Sequence, residues 1–160
     1  MVFAAGCQRT PLLETTVEAA NSHDFSSWQT RHREEFSPAA WSEWEAALQD
    51  IKVRIIALRE ASGTDAVNEA LLPKVNGQTV RAVLRQGYEA RLWRLNVERE
   101  ELEKNIAGNS TLRTNPGDTE SANYLKRKLQ EQTTRLERAK SDIAQAEARL
   151  KELAGPAPAK

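Results

Sequence analysis

The chain has 160 residues, a length that suits one domain with room for a core. Its 23 Lys and Arg balance 23 Asp and Glu, so no net field gathers phosphate backbones or anionic headgroups, and nucleic acid is not expected as a partner. With 29% charged residues, few aromatics, one cysteine and no apolar run of membrane-spanning length, the composition fits exposed helices and excludes an intrachain disulfide or a thiolate metal cluster.

Residues 1–7 read Met-Val-Phe-Ala-Ala-Gly-Cys, with small residues directly before the only cysteine and a polar Gln8-Arg9-Thr10-Pro11 stretch after it. Ala4-Ala5-Gly6-Cys7 resembles the lipobox of bacterial lipoproteins. The resemblance implies cleavage before Cys7 and a diacylglyceryl group on its thiol. It also implies that residues 1–10 are a residual signal segment and tether, the rest of the signal peptide being upstream or truncated. At about 0.8 kcal/mol per buried CH₂, two or three acyl chains anchor a protein durably, which places this chain in a bacterial cell envelope, on the outer or plasma membrane. The alternative is a genuine Met1, a free Cys7 thiol and a cytoplasmic protein.

Behind the tether, residues 11–154 read as one all-α domain, and 155–160 as a disordered tail. Thr10-Pro11 predicts a helix start, with Leu13, Val17 and Ala20 on one face of a short helix ending near Ala20. Asp24 is a candidate N-cap for a second short helix carrying Phe25, Trp28 and His32 at i, i+3 and i+7. The neighbouring Arg31, Arg33, Glu34 and Glu35 fit a solvated face, since no second His stands at metal-ligand spacing.

Ser37-Pro38 predicts the next helix start and Gly63 its C-terminal stop. Trp41, Trp44, Leu48, Ile51, Ile55 and Leu58, flanked by Ala47, alternate spacings of three and four. They form an apolar stripe whose two Trp are expected to bury against the short N-terminal helices. Thr64-Asp65 predicts a short helix through Leu71, halted by Pro73, and Val75-Asn76-Gly77 a turn. Residues 78–107 predict a long helix with Val80, Leu84, Tyr88, Leu92, Leu95, Leu102 and Ile106 on one face. Val83, Ala90, Trp93 and Val97 lie on another. Gly87, between the faces, is expected to admit a close neighbouring helix, because a mid-helix glycine otherwise costs about 1 kcal/mol against alanine.

A connection at 108–118, containing Asn115-Pro116-Gly117-Asp118, precedes a C-terminal helix over 119–154 capped by Asp118 or Thr119. Its Ala122, Leu125, Leu129, Gln132, Leu136, Ala139, Ile143, Ala146, Leu150 and Leu153 form a heptad seam. The seam needs a partner: either the helix ending near Ala107, reached by folding back, or a second copy. Its far end around Leu150 and Leu153 is expected to overhang. The fold expected is an elongated antiparallel helical bundle or coiled-coil hairpin with three long helices and short N-terminal ones.

Phosphate-binding glycine loops, paired metal ligands and nucleophile elbows are absent from the sequence. No catalytic, cofactor or metal residue is nominated, and no small-molecule substrate is evident. Cys7 is the one candidate site residue. The expectation is a non-catalytic envelope lipoprotein offering a helical scaffold or protein-interaction domain, alternatively a cytosolic coiled-coil adaptor. In either case protein partners, or self-association, use the helical faces.

Overall fold

Five α-helices account for most of the chain in the computed structural model, which describes residues 12–115 and 117–154. They are α1 (Ser22–His32), α2 (Pro38–Ala57), α3 (Thr64–Val75), α4 (Val80–Ser110) and α5 (Thr119–Leu153). No strand occurs among the described residues, only a single isolated bridge between Thr16 and Thr79. The protein is all-α. It divides into two compact units, Met1–Gly87 and Tyr88–Lys160, the division falling inside α4.

In the first unit the chain does not open with the helix expected over residues 11–20. Leu12–Glu14 makes one 3₁₀ turn and the backbone then extends. Val17 N–H donates to the Gln78 carbonyl at 2.8 Å, and its own carbonyl accepts from Gly77 N–H at 2.9 Å. Thr15 accepts from Val80 N–H, and Ala19 N–H donates to the Asn76 side chain at 2.9 Å. Along this stretch Val17 and Ala19 are buried while Glu18 and Ala20 are exposed, a period of two instead of 3.6. Burying a valine is worth about 1.5–3 kcal/mol, more than the few tenths separating helix propensities. The non-local pairing therefore prevails over Thr10-Pro11.

Asn21, not Asp24, caps α1, its side-chain oxygen accepting from Asp24 N–H at 2.9 Å. The helix drives Trp28 into the core, where its indole N–H donates to the Thr16 carbonyl at 2.8 Å. That bond ties α1 to the extended segment. Ser37 caps α2 as expected, accepting from Ala40 N–H at 3.2 Å with Pro38 in the first turn. Trp44 buries fully against Trp28, with ring centroids 5.5 Å apart, and Phe36 meets Trp41 edge-on at 5.3 Å. The tryptophans thus close the first unit against α1.

The end of α2 differs from expectation. The helix stops at Ala57, and Arg59 takes the left-handed position at φ 56°. Glu60 N–H reaches back to the Ile55 carbonyl and Arg59 N–H to that of Ile56, each at 3.0 Å, which is a Schellman closure. An arginine stands where glycine usually does, and Gly63 caps the start of α3 instead. Leu58, the last position of the expected stripe, is exposed together with Ile56.

Pro73 does not end α3, which continues to Val75. Val67, Leu71 and Val75 bury one above another at four-residue intervals, while Pro73 itself faces solvent. Packing therefore holds the last turn, and the missing N–H leaves its acceptor carbonyl on the wet side. Thr79 opens α4, its hydroxyl accepting from Ala82 N–H at 3.2 Å. Within this unit Gly87 lies directly on α2: a methyl group added there would stand 2.5 Å from Ala47 Cα and 2.9 Å from its carbonyl oxygen. The glycine is a point of close approach between two backbones, as its position between the two apolar faces implies.

In the second unit the rest of α4 meets α5. Asn109 donates to Gln132 at 2.9 Å, and Arg135 pairs with Glu98 at 2.9 Å. Leu95 and Glu98 share a small cleft of about 110 Å³ with Arg138, Ala139 and Asp142. Leu95 and Leu102 on one helix, and Leu136, Ala139, Ile143, Ala146 and Leu153 on the other, are buried.

Candidate functional site

Cys7, the sequence-nominated lipidation residue, lies outside the described residues, as do residues 1–11 and 155–160. What the structure adds is the surface that the helices present.

The seam of α5 is not uniformly covered. From Leu136 onward most of its positions are buried, Leu125 and Leu129 are half-buried, and Ala122 is exposed. The overhang expected near Leu150 and Leu153 is therefore at the opposite end, since Leu153 is only 1% exposed. The reason is register. Gln132 lies beside Asn109, one residue short of the end of α4, so residues 119–131 of α5 run on for roughly 15–20 Å at 1.5 Å each. The connection between the helices is long enough to allow this offset, and its described residues are all exposed.

Asp118 fixes the start of that free segment. Its carboxylate accepts from Ser121 N–H at 3.0 Å, and this bond, with the Ser121 hydroxyl, holds the Asp118 carboxyl below its ordinary value of 3.8. Three consecutive cations, Lys126, Arg127 and Lys128, follow about two turns later. Tyr124 is 54% exposed and lies under the cationic groups of Arg127 at 5.9 Å and Lys128 at 5.7 Å. Leu112, in the connection, is 55% exposed. The region combines an uncovered heptad stripe with positive charge and apolar surface, chemistry suited to binding a macromolecule.

Two clefts among the described residues of the first unit carry polar side chains. One, of about 520 Å³, lies between the extended segment and α1 and carries Asp24, Ser27 and the Glu18–Arg31 ion pair, 3.2 Å apart. The other, of about 390 Å³, is bordered by Gln29, Thr30, Glu34 and Trp41, with the Arg33 guanidinium stacked 4.5 Å above the Trp41 ring. The first cleft thus places the Ser27 hydroxyl and the Asp24 carboxylate on one wall, and the second is bordered by a stacked cation. His32 lies 4.9 Å from the Trp28 ring and 3.0 Å from Glu35. Among the described residues no three His, Cys, Asp or Glu side chains converge as a metal site would require, and no helix is long and apolar enough to cross a membrane.

The basic, half-covered start of α5 is the feature that inspection of the apolar spacing alone passes over. Its signal is in the positions flanking the seam: between Thr119 and Arg135 they hold Thr, Ser, Lys or Arg and never an acid. Compared with known protein families, characterised proteins and solved structures, the chain shows no significant match.

Proposed function

We propose that this chain is a lipid-anchored protein of the bacterial envelope whose α4 and α5 form an antiparallel coiled-coil hairpin, a non-catalytic arm that docks or spaces other proteins beside the membrane. The anchor is Cys7, and its support is the Ala4-Ala5-Gly6-Cys7 sequence. The observation that carries the interaction role is the α5 seam, paired with α4 over its later half and left open over its first turns. A seam used only for folding gains nothing from an uncovered end.

The test is to express the natural gene in bacteria with labelled palmitate, beside a Cys7→Ala variant. The proposal expects label in the wild-type chain, none in the variant, and release of the wild type from membranes only by detergent. Equal absence of label, with recovery in the soluble cytosolic fraction, replaces it with the cytosolic adaptor.

A further inference from the structure

The first turns of α5 are an open half of a coiled coil, and their charge states what closes it. Within the heptad frame set by the buried Leu136, Ile143 and Leu153, the positions that flank the seam and face a partner helix in the uncovered segment are Thr119, Ser121, Lys126 and Lys128, of which the two lysines carry charge. Arg135, the next flanking cation, is answered from α4 by Glu98 at 2.9 Å. Lys126 and Lys128 lie where α4 has ended, and among the described residues neither forms an ion pair; Lys128 rests only on the Tyr124 ring. The chain thus shows how it matches a flanking cation, with a glutamate on the facing helix, and leaves two further cations unmatched beside two half-covered leucines.

We propose that residues 119–131 of α5 bind an acidic amphipathic helix of a partner protein, whose apolar stripe continues the seam over Leu125 and Leu129. Its Glu or Asp residues pair with Lys126 and Lys128. A second copy of this chain fits poorly, because packing two such segments together sets lysines against lysines. The proposal rests on the reading of α4 and α5 as an interaction arm and is independent of lipidation at Cys7.

The experiment uses the full chain and two fluorescently labelled synthetic peptides of about three heptads, with Leu at the seam positions and either Glu or Lys at the flanking ones. Anisotropy is expected to show the Glu peptide binding about tenfold or more tighter than the Lys peptide, with the gap closing as salt rises. Lys126→Glu with Lys128→Glu is expected to invert the preference. Both sites are exposed, so circular dichroism should show an unchanged fold. Leu125→Ser with Leu129→Ser is expected to abolish binding of both peptides. Equal affinity for both peptides, binding of neither, or indifference to the lysine changes overturns the proposal. So does tip-dependent dimerisation in sedimentation, or lysine-dependent binding to phosphatidylglycerol vesicles without peptide binding. Loss of peptide binding while α4 and α5 remain paired overturns this docking site alone. Unpaired helices overturn the arm as well.

Discussion

Replacing Gly87 by alanine sets two opposed effects against each other, and the structure decides which is larger. In an open helix the change is stabilising by about 1 kcal/mol, because glycine forfeits more backbone freedom than alanine. At Gly87 the new methyl group would stand 2.5 Å from Ala47 Cα, where ordinary carbon contacts are about 3.5–4.0 Å. Relief requires α2 and α4 to part by about 1 Å. Overpacking of this kind costs typically 1–3 kcal/mol, and its upper end applies when backbone must move, because gaps then open along the whole contact. The net expectation is a loss of about 2 kcal/mol, or a urea midpoint lower by about 1 M for a slope near 2 kcal/mol/M. Gly108, in the same helix, has nothing within 4 Å of an added methyl group, so Gly108→Ala should be neutral or stabilising by up to about 1 kcal/mol. Ala47→Gly should rescue Gly87→Ala only in part, since the Ala47 Cα and carbonyl oxygen remain in the way. Urea unfolding followed by tryptophan fluorescence reads all four chains. A Gly87→Ala protein as stable as wild type, or shifted in the same direction as Gly108→Ala, refutes the close approach.

Trp28→Phe should destabilise by about 2–4 kcal/mol, since it removes core volume and the indole bond to the Thr16 carbonyl. Trp44→Phe should cost about 1–2 kcal/mol less by the same unfolding measurement, because the buried Trp44 N–H makes no hydrogen bond among the described residues and its loss offsets part of the cavity. Arg59→Gly should raise stability by about 0.5–1 kcal/mol, the left-handed strain of arginine outweighing the added freedom of the unfolded chain. Thermal melts check it, and a lower midpoint contradicts the Schellman geometry. The Asp118 carboxyl is held below 3.8 in the folded chain, so its cap contributes fully above the unfolded value and fades as pH falls through the folded one. Amide exchange at Ser121 should accelerate, relative to neighbouring turns, only below about pH 4, and Asp118→Asn should remove that dependence.

Elements whose signals are local were legible in the sequence. Ser37-Pro38 starts α2 where a capping serine and a first-turn proline dictate, and the α5 stripe marks its buried face from Leu136 onward. Even the Gly87 contact could be read, because a breaker tolerated between two apolar faces implies a neighbour at that point. Elements decided by distant partners were not. Residues 15–19 follow a helical signal at Thr10-Pro11 but meet the 76–80 backbone, some sixty residues away, whose hydrogen bonds capture them. The left-handed Arg59 could not be foreseen from residue type, since the arginine conformation is imposed by the Schellman bonds around it. A heptad pattern fixes the face of a helix and not its axial offset from a neighbour, so the spacing points to Leu153 as the uncovered end, whereas Leu153 is buried and Ala122 is exposed. That offset depends on the loop and on single contacts such as Asn109 to Gln132. Cys7 is legible only in sequence.

The proposed interaction arm requires α5 to fold back along α4 of the same chain. Spin labels at Glu101→Cys and Glu137→Cys, in a Cys7→Ser background, measure it by pulsed electron resonance. Two exposed positions on adjacent helices 8–10 Å apart should give a label separation of about 20 Å, unchanged when labelled chains are diluted with unlabelled ones. A separation beyond about 40 Å, or a short one that vanishes on dilution, contradicts the hairpin and assigns the seam to a second copy.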